Sequence, residues 1–169
     1  MTPPKNYVLD ADALIRAKRQ HYRFCFCPGF WDFLLVKQKA GRLHSIDRVK
    51  KQLKPGDDLH EWAYSKAPAR FFAPTRAAAV LVEFGKMMFW VNAQAHYTAA
   101  AKAGFAHAGN ADGWLVAYAK VNGLVVVTHE VPSSGGKRVK IPNVCDQFGV
   151  EFRDPFDMLE DLKGKLILG

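Results

Sequence analysis

Leu124-Val125-Val126-Val127-Thr128 constrains this chain more than any other segment. It is short, continuous in its apolar character and β-branched through its middle, with Asn122-Gly123 before it and His129-Glu130 after it. A strand wetted on one face alternates apolar with polar residues. A strand without alternation suits burial on both faces, the environment of a parallel sheet covered by helices. Tyr7-Val8-Leu9 is a second such run, stopped by Asp10. Arg42 to Ile46 and Val150 to Phe152 read as two more strands. Helical patterns lie between them: Ala11 to Lys18, Phe30 to Lys39, Asp47 to Lys54, Leu59 to Lys66 with Asp58 as its cap, Pro74 to Val91 with Thr75 as its cap, Ala95 to Ala103, Asp112 to Val121 and Pro155 to Leu162. Ser133 to Lys140 reads as a basic, glycine-bearing loop. Strands separated by helices predict an α/β fold with a small, mostly parallel sheet of four or five strands, and residues 1–169 suit a single domain.

Nearly half of the 169 residues are apolar, enough for a core and too many for a disordered chain. The longest uninterrupted apolar run is six residues, as in Ala77 to Val82, far short of the ~20 that span a membrane. The amino-terminal residues carry no secretory pattern, so the cytoplasm is the expected compartment. Three cysteines cannot build a disulfide framework. Cys25-Phe26-Cys27 is spaced too closely for a zinc finger and reads as ordinary buried or half-buried thiols. No glycine-rich phosphate loop and no Gly-x-Ser-x-Gly elbow is present. The formal net charge of +8 favours polyanionic partners, nucleic acid first among them.

Ligands of open parallel sheets bind beyond the carboxyl ends of the strands. Asp10 closes the first strand, Asp12 follows it, and Glu130 stands two residues past Thr128. Asp112 opens a helix after Gly109-Asn110-Ala111, where capping and ligand roles are both open. Acids gathered at one strand mouth repel one another unless a cation neutralises them, and Mg²⁺ or Mn²⁺ prefers such oxygen donors. Asp10 also reads as satisfying backbone amides where strand turns to helix, Asp12 as capping that helix, and Glu130 equally as a solvated residue at a loop start. Basic residues flank this centre: Arg16, Lys18 and Arg19 on one side, and Lys137, Arg138 and Lys140 on the other. An acidic pocket with a basic rim is the arrangement of a metal-dependent nuclease, the rim holding phosphates and the pocket the metal. His129 reads as a surface histidine, with orientation of a phosphate or water as its alternative. Met87-Met88-Phe89-Trp90 reads as core, with a homodimer or partner face as the alternative. Asp10-x-Asp12 is also a phosphatase nucleophile motif, but Leu14 stands where that motif wants Thr or Val.

Taken together, Tyr7 to Ile15, Asp112 to Ala119 and Val127-Thr128-His129-Glu130 resemble the PIN-domain nucleases. Asp57 to Trp62, Lys140 to Cys145 and Gly149-Val150 are similar to a bacterial PIN-like branch labelled a domain of unknown function. The resemblance implies a metal-dependent endoribonuclease, the toxin of a toxin–antitoxin pair, hydrolysing RNA phosphodiesters with a water activated by Mg²⁺ or Mn²⁺. Asp10, Asp112 and Glu130 match the family's catalytic and metal-holding acids, and Asp12 occupies the polar position beside the first. The implied partners are RNA and an antitoxin protein. One position departs: Lys51-Gln52-Leu53 stands where the family carries a Glu. Gln52 can offer a carbonyl oxygen but has no charge and cannot act as a base. That departure supports an alternative, a catalytically weakened module that binds RNA or a protein partner without cleavage.

Overall fold

Five parallel strands form the sheet of the computed structural model, which describes residues 2–168. They are β1 (Tyr7–Leu9), β2 (Leu43–Ile46), β3 (Phe72–Ala73), β4 (Val125–Val127) and β5 (Phe152–Arg153), in the order β3-β2-β1-β4-β5. The two continuous apolar runs are the central pair, with Tyr7 opposite Val125 and Leu9 opposite Val127. Every residue of β1 and β4 is buried, as their unalternating sequences require. The chain is therefore α/β with an all-parallel five-stranded sheet flanked by helices.

The helices are α1 (Ala11–Arg16), α2 (Pro28–Lys39), α3 (Asp47–Gln52), α4 (Asp58–Glu61), α5 (Ala78–Ala93), α6 (Ala99–Ala106), α7 (Asp112–Asn122), α8 (Ile141–Phe148) and α9 (Pro155–Asp161). Wider π-helical turns extend α1 over Ala17–His21 and α4 over Trp62–Lys66. The core joins β1 and β4 to Leu14, Trp31, Leu34, Phe71, Leu115 and Ile141. No helix among the described residues is long and apolar enough to cross a membrane.

Several local expectations are corrected. Asp12 does not cap α1; Asp10 does, accepting the Ala13 amide at 2.6 Å as its backbone-satisfying reading has it. Asp57, not Asp58, caps α4 through the His60 amide. Thr75 caps nothing: it is buried, donates to Asp47 and accepts from Arg48, and α5 begins three residues later. The alanine-rich α6 is capped by Thr98, whose hydroxyl accepts the Ala101 amide, and runs past Gly104. α8 has no counterpart in the periodicity reading, because Pro142 and Asn143 suggest a loop. Proline is nevertheless tolerated in a first turn, where its missing N–H has no helical partner. Cys25 is exposed, and only Cys145 is a buried thiol. On α5, Met87 packs inward, whereas Phe89 is 80% exposed.

Candidate functional site

A parallel sheet sends all its carboxyl ends to one side, and three of the acids arrive there for that reason. Asp10 follows β1 directly, and its amide continues the ladder by donating to the Val127 carbonyl at 3.0 Å. Glu130 lies just beyond β4, its amide donating to Thr128 Oγ1. α7 precedes β4 in the chain and packs on the sheet, so it runs back against the strand direction and presents its amino end at the same mouth. That amino end is Asp112. Asp10, Asp12, Gln52, Asp112, Glu130 and Arg138 line a single cleft of about 590 Å³.

Asp10 is 3% exposed. Burial pushes its carboxyl up to about 7 against the opposing pull of Thr128 and the Ala13 amide, with Asp12 and Asp112 adding repulsion. Asp112 is pushed up to about 6 by burial and by Glu130, while Arg138 and Lys140 pull it down. Its capping alternative falls away. Asn110 Oδ1 accepts the Asp112 amide, and the Asp112 carboxylate faces the cleft. Glu130 is not a solvated loop residue, for its side chain is only 9% exposed. One oxygen accepts from Arg138 Nη2 at 2.6 Å, and the other accepts the Ile141 amide at 2.8 Å at the start of α8. The same guanidinium stands 3.9 Å from Asp112 Oδ2.

The remaining sequence candidates play other parts. Asp12 pairs with Arg16 one turn along α1 at 2.8 Å. Gln52 donates through Nε2 to the Gly109 carbonyl at 2.7 Å, tying α3 to the loop before α7. A glutamate could not donate that bond. Lys18 does not contribute to a free rim, because it pairs with Asp57 and Asp58. The Arg48 guanidinium carbon sits over the Trp114 ring, 3.7 Å from its centroid. His129 lies outside the acidic cleft, half-buried between His21 and Phe156. Sequence reasoning placed Arg138 on the rim and not at the centre. The signal for its inward reach is only an eight-residue return from Glu130 through Gly135-Gly136.

Among the described residues no three His, Cys, Asp or Glu side chains converge at metal-ligand spacing. The donor set still suits a hard divalent cation. It consists of carboxylates whose charge burial disfavours, and a guanidinium has been drawn onto two of them.

The family model described as a domain of unknown function, DUF4411, matches residues 7–166. No curated protein matches the chain.

Proposed function

The chain belongs to the DUF4411 family, and we propose that it is a metal-dependent endoribonuclease of PIN-like type. The observation that carries this reading is the excess of buried acid at the strand mouth. Asp10 and Asp112 are held near 7 and 6, beside a Glu130 that has already drawn in a cation of its own. Asp10, Asp112 and Glu130 would hold Mg²⁺ or Mn²⁺, which when bound supplies an activated water and neutralises phosphate charge. Asp10 is kept in place by the Ala13 amide, and Glu130 by the Ile141 amide, so both carboxylates are oriented in advance. Asp12 is held by Arg16 at the edge of the same cleft, where a phosphate backbone would pass. Lys137, Arg138 and Lys140 provide the positive charge for that backbone, in keeping with the net charge of the chain. An antitoxin would have to cover this cleft.

The test is cleavage of a single-stranded RNA in Mn²⁺, compared with EDTA and with Asp10→Asn. Cleavage in Mn²⁺ alone, lost in the variant, is the expected result. The second reading, RNA binding without cleavage, is favoured by the bond of Gln52 to the Gly109 carbonyl, which engages the amide at the position where a fourth acid would stand. Retention of RNA in Mn²⁺ with no products would select it.

A further inference from the structure

The cleft contains a cation already, and the way it is held has a consequence for how the site works. Arg138 contributes a guanidinium to Glu130 and Asp112 from a side chain that is 60% exposed. The backbone that carries it is fixed on both sides. The Gly136 carbonyl accepts from the Thr98 amide at 3.0 Å, and Gly136 lies so close to the 96–98 segment that a Cβ there would stand 1.8 Å from the His96 carbonyl oxygen. Val139 is buried, and Ile141 is tied to Glu130 through its amide. Upstream, Ser133 is bracketed by the Asn143 side chain, which accepts from its amide and donates to its carbonyl. Arg138 is thus an exposed side chain held at its tip, on a backbone anchored to either side. It can leave Glu130 by rotation alone, with no loop movement.

Two cations do not share one buried carboxylate comfortably. Like charges at contact repel by several kcal/mol once water is thinned out around them. We propose that Arg138 is an exchangeable counter-ion: it neutralises Glu130 and Asp112 while no divalent cation is bound, and turns to a phosphate group of the RNA once one is. This inference rests on the endoribonuclease reading above. It accounts for Glu130 and Asp112 lying together around one guanidinium, and it couples metal entry to the arrival of a phosphate-binding residue. A guanidinium suits the second task because its fork of N–H donors matches phosphate oxygens.

The test uses calorimetric titration of Mn²⁺ into the wild-type protein, Arg138→Gln, Lys137→Gln and Asp10→Asn. Lys137→Gln removes the same charge from the same loop without touching the carboxylates. Arg138→Gln is expected to bind Mn²⁺ about tenfold tighter than wild type, the equivalent of one charge-assisted hydrogen bond no longer competing. Lys137→Gln is expected to shift it less than about threefold. Binding of a labelled single-stranded RNA, followed by anisotropy in Ca²⁺ and in EDTA, reads the other half. Arg138→Gln should weaken it about fivefold in Ca²⁺ and less than about twofold in EDTA. Unchanged Mn²⁺ affinity in Arg138→Gln, or an equal gain in both loop variants, overturns the exchange while Asp10→Asn still reports the metal site. An RNA loss of equal size in Ca²⁺ and EDTA overturns it as well, making Arg138 an ordinary rim contact. Absence of Mn²⁺ binding in every protein, Arg138→Gln included, overturns the metal reading and this proposal together.

Discussion

Two clusters of charge lie against the same sheet, one at each end of its strands, and they are built in opposite ways. At the amino ends of β1 and β5, Glu151 pairs with Lys5 and Arg153, Arg153 reaches Asp161, and Asp161 accepts from the Tyr7 hydroxyl. Acids and bases are matched there, the groups are partly wet, and hydrogen bonding to Lys5 holds the Glu151 carboxyl below its ordinary range. At the carboxyl ends, one arginine serves both Asp112 and Glu130, and burial holds Asp10 and Asp112 above their ordinary range. The first cluster is complete in itself. The second is short of positive charge, and that shortage, not the number of acids, is what distinguishes a candidate site from a structural ion pair.

Exchanging one acid from each cluster should separate them most widely. Asp10→Asn is expected to lower Mn²⁺ affinity and Mn²⁺-dependent RNA cleavage by at least about 100-fold, beyond the range seen for groups that merely support ligands. Glu151→Gln should change neither by more than about twofold. Equal losses in calorimetry and gel-based cleavage would erase the distinction.

Acidity gives the next contrast. Folding raises the pKa of Asp10 and Asp112 from the ordinary 3.8 to about 7 and 6, so the folded state binds protons more tightly than the unfolded one. Their protonation stabilises the fold fully below about pH 4, and that contribution is lost as pH rises through 6 and 7. Urea denaturation of the metal-free protein should therefore show stability falling between pH 5 and pH 8, by on the order of 2–4 kcal/mol. Asp10→Asn should flatten most of that slope. Glu151 acts with the opposite sign, since its lowered pKa gives stability that disappears as pH falls through it.

Gln52 sharpens the comparison from inside the cleft. If its work is to tie α3 to Gly109, Gln52→Glu should cost about 1 kcal/mol of stability in EDTA, the net value of a typical hydrogen bond, and Gln52→Ala a similar amount. A glutamate that is instead neutral or stabilising in EDTA would return this position to the site as an interrupted ligand. The smallest effect belongs to the matched cluster, where Lys5→Ala should cost no more than about 1 kcal/mol in the same urea titration, as partly exposed pairs do.

Much of the architecture was legible because β1 and β4 declare themselves without alternation, and because Asp10 and Glu130 stand at the ends of those runs. The five-stranded sheet needed β3, which at Phe72–Ala73 is too short for any pattern to register. α8 was hidden by Pro142, whose ring favours a first helical turn as readily as a loop. Asp112 could be placed at a helix start but not distinguished from its cap, because the deciding residue, Asn110, acts two positions upstream. Arg138 was beyond reach for a different reason. Its position depends on Gly136 meeting the 96–98 segment across some forty residues of chain, a tertiary contact that leaves no local trace.

The order β3-β2-β1-β4-β5 also sets a timetable. The strand that begins at Tyr7 is central, yet its neighbour on one side is not synthesised until Val125 and the next not until Phe152. Until then Asp10 lacks the Val127 carbonyl for its amide, and Glu130 lacks the amino end of α8. Pairings this distant in sequence form late and slowly. A ribosome still elongating the chain would thus carry β1, β2 and β3 without an assembled acidic mouth, and cleavage, on the reading proposed above, would switch on only after Phe152–Arg153 had emerged.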